Sequence, residues 1–282
     1  PVCLWWGEGE LRASWGMDYF VRREAEGRGL GPMLARAWTN HVDVALAMGL
    51  TPPALAVYKR LGFRDVGEIP FYQKVLDPGA VARRRLGPLL GGIAGPALGL
   101  GLWLVGRRRG ARPSNRKLEV GPVSSFGEEF DLLWQRARGS YAMCVRRDAR
   151  YLQWKYLGRA DKAYDVLAAR RSGQLAGFAV SREEDYRGLR LGWIVDVFAE
   201  ASDHEAKQAL LESVLAGFRR TGVARAQVFC RNAALAQDLK RQGFFRGRST
   251  ALFCVKAATD SAAVFGDAGR WHVVFGDGDM DR

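Results

Sequence analysis

The stretch from Trp15 to Trp38 restricts the fold more than any other part of this chain. Trp15–Val21 reads WGMDYFV, a run rich in aromatic and β-branched residues, and is expected to form a strand. Arg22–Pro32 follows with Gly27, Gly29 and Gly31, and then Met33, Leu34, Ala37 and Trp38 recur at helical spacing. Strand, glycine loop and helix in that order point to an α/β fold. The arrangement suits a pyrophosphate: glycines let backbone N–H groups approach an anion, Pro32 fits a first helical turn, and a helix N-terminus offers unpaired donors. Arg28 adds positive charge. A tight structural turn is the plain alternative for such a loop taken alone.

Further along, Thr51-Pro-Pro-Ala54-Leu-Ala-Val-Tyr58-Lys-Arg-Leu61-Gly62-Phe63 predicts a short helix stopped by a glycine at its C-terminal position and followed by a strand. Together the two segments resemble the acyl-CoA N-acyltransferase (GNAT) superfamily. Its signature is an (Arg/Gln)-x-x-Gly-x-(Gly/Ala) loop followed by an Asn-x-x-Ala-x-x-x-Tyr helix ending in Gly-Phe. Gly29 and Gly31 match the loop; Ala54, Tyr58, Gly62 and Phe63 match the second motif. Glu26 stands where the family has Arg or Gln, and Thr51 where it has Asn. The stretch between the two motifs is also several residues short, so these departures bear on the acyl donor more than on the fold.

The resemblance implies transfer of an acyl group from acetyl-CoA or another acyl-CoA to an amine, by direct attack and without a covalent enzyme intermediate. Tyr19, Phe20 and Val21, on a strand that splays open, and Arg28, Gly29, Leu30 and Gly31 of the loop are the implied donor-binding residues. The amine must lose a proton, with Asp18 or Glu24 as candidate bases acting directly or through water. Backbone N–H groups near Tyr19–Val21 would polarise the thioester oxygen. Tyr58 would protonate the leaving thiolate, since phenol and thiol pKa values lie within about two units of each other. An aromatic packed near a helix end is the plain alternative for Tyr58.

From Phe126 the pattern restarts. Helices are expected around Phe130–Ala137 and Ala149–Leu157, then a hairpin Tyr164–Arg170 and Gln174–Ser181 about a Ser172-Gly173 turn. A strand Leu191–Phe198 leads to a helix with Leu210, Leu211, Val214, Leu215 and Phe218 on one face, a strand Val223–Cys230, and a helix Asn232–Gln242 closed by Gly243-Phe244. The order matches a second GNAT-like domain, so the resemblance implies an α/β fold with a mixed (α+β) sheet in two GNAT-like domains. Asn232 opens the second motif, but Leu239 replaces its tyrosine, and Ala199–Glu205 is acidic and free of glycine. This half is expected to be degenerate. Tyr151–Tyr156 and Trp271–Asp279 resemble bacterial GNAT proteins encoded beside polysaccharide-export genes; by physics alone the aromatics read as core and the Gly-Asp run as solvated.

The chain of 282 residues, 48% hydrophobic, can fill two ordinary cores. The expected organisation is 1–78, the C-terminal part of a GNAT domain; 79–118, a linker; 119–260, a second GNAT-like domain; and 261–282, a tail. The chain opens Pro-Val-Cys without an initiator methionine, so residues are expected upstream and the first domain is read as truncated. Nine basic residues and no acid lie between Arg83 and Lys117, out of a net charge of +13. They flank Leu86–Gly106, an uncharged run long enough to span a bilayer. Its nine Leu, Ile and Val residues contribute only roughly −3 to −5 kcal/mol to insertion, against seven glycines and two prolines. The segment 82–117 is therefore expected either to lie on an anionic membrane surface or to act as a basic linker.

Arginine clusters without interleaved aromatics argue against a nucleic-acid partner. Cys3, Cys144, Cys230 and Cys254 are scattered, and His41, His204 and His272 have no metal-binding spacing, so no metal site is expected. The leading expectation is a cytoplasmic N-acyltransferase, peripheral on the inner face of the membrane at most, acting on the amine of a small molecule or amino sugar. The rival is a non-catalytic scaffold at a membrane surface.

Overall fold

The computed structural model describes residues 1–17, 20–84, 86–87, 118–158, 163–258, 262–278 and 281. In the first half, β1 (Val2–Trp5) and β2 (Glu10–Trp15) form a hairpin, followed by α1 (Leu30–Thr39), β3 (Val44–Met48), α2 (Pro52–Arg60) and β4 (Arg64–Val75). A helical segment, α3, is described over 78–84. The second half runs β5 (Leu118–Pro122), α4 (Glu128–Ala137), β6 (Met143–Val145), α5 (Ala149–Leu152), β7 (Asp165–Arg171), β8 (Gln174–Tyr186) and β9 (Leu189–Ala199). Then come α6 (His204–Arg220), β10 (Arg225–Arg231), α7 (Ala233–Arg241), β11 (Phe245–Ala257), α8 (Ala262–Phe265) and β12 (Trp271–Val274). Most of the basic linker lies outside the described residues. No described helix is long and apolar enough to cross a membrane.

All strands join one mixed sheet in the order β12-β6-β1-β2-β3-β11-β4-β10-β9-β8-β7-β5. An additional pairing of β12 with β10 closes the first eight of these into a ring. Two strands are exchanged between the halves. β11 lies between β3 and β4, while β4 lies between β11 and β10, and β4 and β11 run antiparallel to each other. Each half therefore completes its ladder with a strand from the other.

Local sequence repeats at the same spacing. Thr51 caps α2 by accepting the Ala54 N–H, and Asn232 caps α7 by accepting the Leu235 N–H. Gly62 (φ 85°) and Gly243 (φ 82°) end these helices in the left-handed region, where a side chain is strained. The shift is 181 residues in both cases, from 51 to 232 and from 62 to 243.

Two expectations need correction, and the packing of α1 adds a third finding. The strand predicted over Trp15–Val21 ends at Trp15, and the chain then leaves the ladder after Gly16 donates its N–H to the Leu46 carbonyl at 2.8 Å. The helix after the glycine loop buries Gly31, Ala35 and Thr39, with Met33 and Leu34 exposed at its rim. Small residues win this contact because α1 lies close over Ala45, Ala47 and Cys254 of the sheet. Finally, the stretch expected as a tail holds a strand of the sheet: β12 is buried along its whole length and pairs with both β6 and β10.

Candidate active site around Tyr58

β2 and β3 run parallel and pair at Ala13–Trp15 against Val44–Leu46. Beyond Gly16 no backbone hydrogen bond joins the described residues Met17, Phe20 or Val21 to β3. Two parallel strands that part in this way leave a wedge-shaped opening and unpaired backbone groups at its mouth. A cavity of about 340 Å³ occupies the opening, lined by Trp15, Gly16, Phe20, Leu34, Trp38 and Tyr58 among others.

Tyr58 lies on α2 and is 1% exposed. Its ring packs on Phe63 at 4.7 Å and on Trp38 at 6.2 Å, which fixes its direction. Gly16 explains how close the hydroxyl can come to the strand end. A Cβ there would stand 2.8 Å from the Tyr58 hydroxyl and 2.9 Å from the Trp38 ring. The indole N–H groups of Trp15 and Trp38 are buried without a hydrogen-bond partner among the described residues.

The glycine loop enters the same neighbourhood. Arg23–Ala25 forms a 3-10 turn; Gly27 (φ 76°) and Gly29 (φ 75°) take left-handed conformations, and Gly29 is the N-cap of α1. A Cβ at either position would meet nothing within 4 Å, so backbone conformation rather than space requires glycine here. The first-turn N–H groups of α1 follow directly, as unpaired donors at the positive end of the helix dipole.

The predicted residues are distributed as follows. Tyr58 and Phe20 line the cavity, whereas Val21 and Leu30 are half-buried beside it and Arg28 is exposed in the loop. Gly29 and Gly31 sit at the cap and in the first turn of α1. Glu24 is exposed on the 3-10 turn and does not line the cavity. Asp18 and Tyr19 lie outside the described residues. Sequence reasoning missed Trp15, Gly16 and Trp38 as walls of the cavity. Their one signal was a glycine inside an aromatic run, which marks close approach of another group.

The second half repeats the parallel pair, β9 with β10 at Leu191–Trp193 against Arg225–Gln227. Here the opening is filled. β10 changes partner to β12 at Cys230–Val274 and Arg231–Val273, and a 3-10 turn, Phe275–Asp277, continues into the gap. A Cβ on Gly276 would come within 2.9 Å of the Val195 side chain.

Below the filled opening Arg147, with no exposed side-chain surface, holds the carboxylates of Asp196 at 3.0 Å and Asp277 at 2.9 Å and donates to the Val145 carbonyl at 2.7 Å. Tyr156 donates its hydroxyl to Asp196 at 3.0 Å. Burial outweighs the neighbouring guanidinium and holds the Asp277 carboxyl above its usual range. At the start of α6 the Asp203 carboxylate already accepts the Ala206 N–H and pairs with Arg171. Leu239, fully buried, stands at the position shifted by 181 residues from Tyr58.

No family model and no curated protein matches the sequence. Solved structures do resemble the fold. A GCN5-related N-acetyltransferase from Anabaena variabilis superimposes with a TM-score of 0.61 at 14% identity, over 95% of this chain and 60% of that one. One from Kribbella flavida gives 0.53 at 15%, over 94% and 57%. Eis1 from Mycobacterium abscessus gives 0.54 at 14%, over 94% and 62%. The chain thus spans about 60% of the length of these structures. It has the mixed α/β fold of the GCN5-related N-acetyltransferases.

Proposed function

We propose that this chain is an N-acyltransferase that moves an acyl group from acetyl-CoA or another acyl-CoA to the amine of a small molecule. The observation that carries the reading is the Tyr58 hydroxyl held against Gly16, in an open cavity where two parallel strands part beside a glycine-capped helix. The shared fold supports it.

The residues fit the donor's chemistry. The left-handed glycines and the first turn of α1 present N–H groups to a pyrophosphate, and Arg28 adds charge. The backbone leaving the ladder after Gly16 offers a channel for an extended pantetheine arm, with N–H donors for the carbonyl oxygen. In the reaction the amine nitrogen forms a bond to the thioester carbon and the carbon–sulfur bond breaks. Tyr58 gives its proton to the departing thiolate, and a base removes the proton of the attacking amine. Asp18 and Glu24 remain the proposed bases; Glu24 can serve through water from its exposed position.

The two halves are proposed to be a tandem GNAT pair in which only the first is catalytic, the second being closed by β12 and the turn after it. A cytoplasmic location and contact of 82–117 with anionic lipid belong to the same reading.

The test is release of free CoA from acetyl-CoA in the presence of a panel of small amines. Tyr58→Phe should bind the donor as the parent does and turn over about a hundredfold more slowly. Unchanged turnover in that variant would remove Tyr58 from the mechanism.

A further inference from the structure

A second cavity, of about 630 Å³, lies where β4 of the first half meets β8, β9 and β10 of the second, and it shares no lining residue with the Tyr58 cavity. Its floor is aromatic. Phe71 and Phe229 pack at 4.9 Å, and the Trp193 indole lies within 7° of the Phe229 plane. Phe275 stacks beneath Trp193 at 4.3 Å and holds it in place.

The rim is cationic. Arg84, Arg187 and Arg225 line the cavity with Glu184, whose carboxylate already accepts the Trp193 indole N–H at 2.8 Å and the Arg182 guanidinium at 2.6 Å; Arg225 also donates to Gln73. Arg84 is held in position by donating to the Arg187 carbonyl at 2.8 Å.

One polar atom in this lining is unexplained by the fold itself. Gln227 on β10 is 6% exposed, and its side-chain oxygen has no hydrogen-bond partner among the described residues. Buried acceptors are rarely left in that state unless something else supplies the donor.

We propose that this cavity binds a planar aromatic anion that carries an N–H or O–H donor. The ring lies on the Trp193–Phe229 surface, where a flat π-system gains most. The donor reaches the Gln227 oxygen, and the anionic group meets the arginines. An aromatic wall alone would also attract a cation, but three lining arginines against one carboxylate that is already paired repel one. This site does not depend on the acyl-transfer reading, because none of its residues touches the Tyr58 cavity.

The experiment titrates the full chain with indole acetate, read by saturation-transfer NMR. Tryptamine provides the same ring with a cationic chain, and naphthalene acetate the same charge without an N–H. Indole acetate should bind at least tenfold more tightly than tryptamine. Gln227→Leu should lose about tenfold for indole acetate and leave naphthalene acetate unchanged. Arg187 sits at φ 51°, a conformation asparagine tolerates, so Arg187→Asn tests the rim without disturbing the turn and should weaken both acetates about threefold. The proposal is overturned if tryptamine binds as well as indole acetate, or if indole acetate shows no binding at millimolar concentration. It is equally overturned if Gln227→Leu melts and binds as the parent does.

Discussion

Replacing Arg147 by methionine should be among the most damaging single changes in this protein. Its guanidinium has no exposed surface and makes bonds to two carboxylates that are themselves 1% and 2% exposed. The variant keeps the side chain's apolar length but leaves two buried like charges and the Val145 carbonyl without their partner. Asp196 retains the Tyr156 hydroxyl and Asp277 retains the Val274 N–H, which softens the loss without neutralising either charge. Breaking a buried pair from one side costs about 3–5 kcal/mol, and this arginine serves two partners, so the upper part of that range applies.

The deficit should depend on pH. The Asp277 carboxyl already holds its proton more tightly in the folded chain than in the unfolded one. A group of that kind contributes stability at low pH and loses it as pH rises through its folded value. Removing Arg147 raises that value further. Urea unfolding at about pH 7.5 should therefore show the full loss, and at about pH 5 a smaller one. Arg147→Met combined with Asp277→Asn should recover part of it at the higher pH. A loss below about 1 kcal/mol at pH 7.5, or one that grows on acidification, would refute the reasoning.

Three further changes probe other parts of the fold. His272 on β12 is 2% exposed, neither ring nitrogen has a hydrogen-bond partner among the described residues, and burial holds its pKa well below the usual 6.5. The unfolded chain therefore binds the extra proton, and stability is lost as pH falls below 6.5. His272→Phe should gain about 1 kcal/mol at neutral pH in thermal unfolding and remove that part of the acid sensitivity. Gly16→Ala should destabilise by about 1–3 kcal/mol and depress turnover, because its Cβ collides with the Tyr58 hydroxyl and the Trp38 ring. Leu239→Tyr should cost a similar amount by overpacking a fully buried position, and should confer no activity on the second half because β12 occupies its opening.

Much of this architecture was legible from local pattern. The Ser172-Gly173 turn lies where the structure has two successive left-handed residues (φ 52° and 80°) joining β7 to β8. Gly62-Phe63 and Gly243-Phe244 end α2 and α7 as glycine punctuation predicts. Tyr58 matches the second motif, and Phe20 and the glycine loop enter through the resemblance; in the structure Tyr58 and Phe20 line one cavity, and Gly29 caps the helix after the loop.

What escaped the reading was non-local. Nothing near Arg64–Val75 says that its neighbours will be β11 and β10 rather than a strand of its own half. Asp277 looks like a solvated terminal acid until Arg147, 130 positions earlier in the chain, is brought beneath it. Met33 and Leu34 recur at helical spacing, which by itself does not say where they face. The small residues opposite them drew α1 in by another face and left both at the rim. Such outcomes depend on which surfaces meet, and periodicity within one element does not encode that.

The central claim is that the first half holds the acyl donor through its glycine loop. Calorimetric titration of acetyl-CoA into the full chain, beside Gly29→Val, tests it most directly. Valine at φ 75° is strained by about 1–2 kcal/mol, yet a Cβ there meets no atom within 4 Å, so the variant should fold while its loop shifts. The account predicts micromolar binding by the parent and a loss of at least tenfold in the variant. Equal binding by both would contradict the placement of the donor, and no binding by the parent would contradict the enzyme itself.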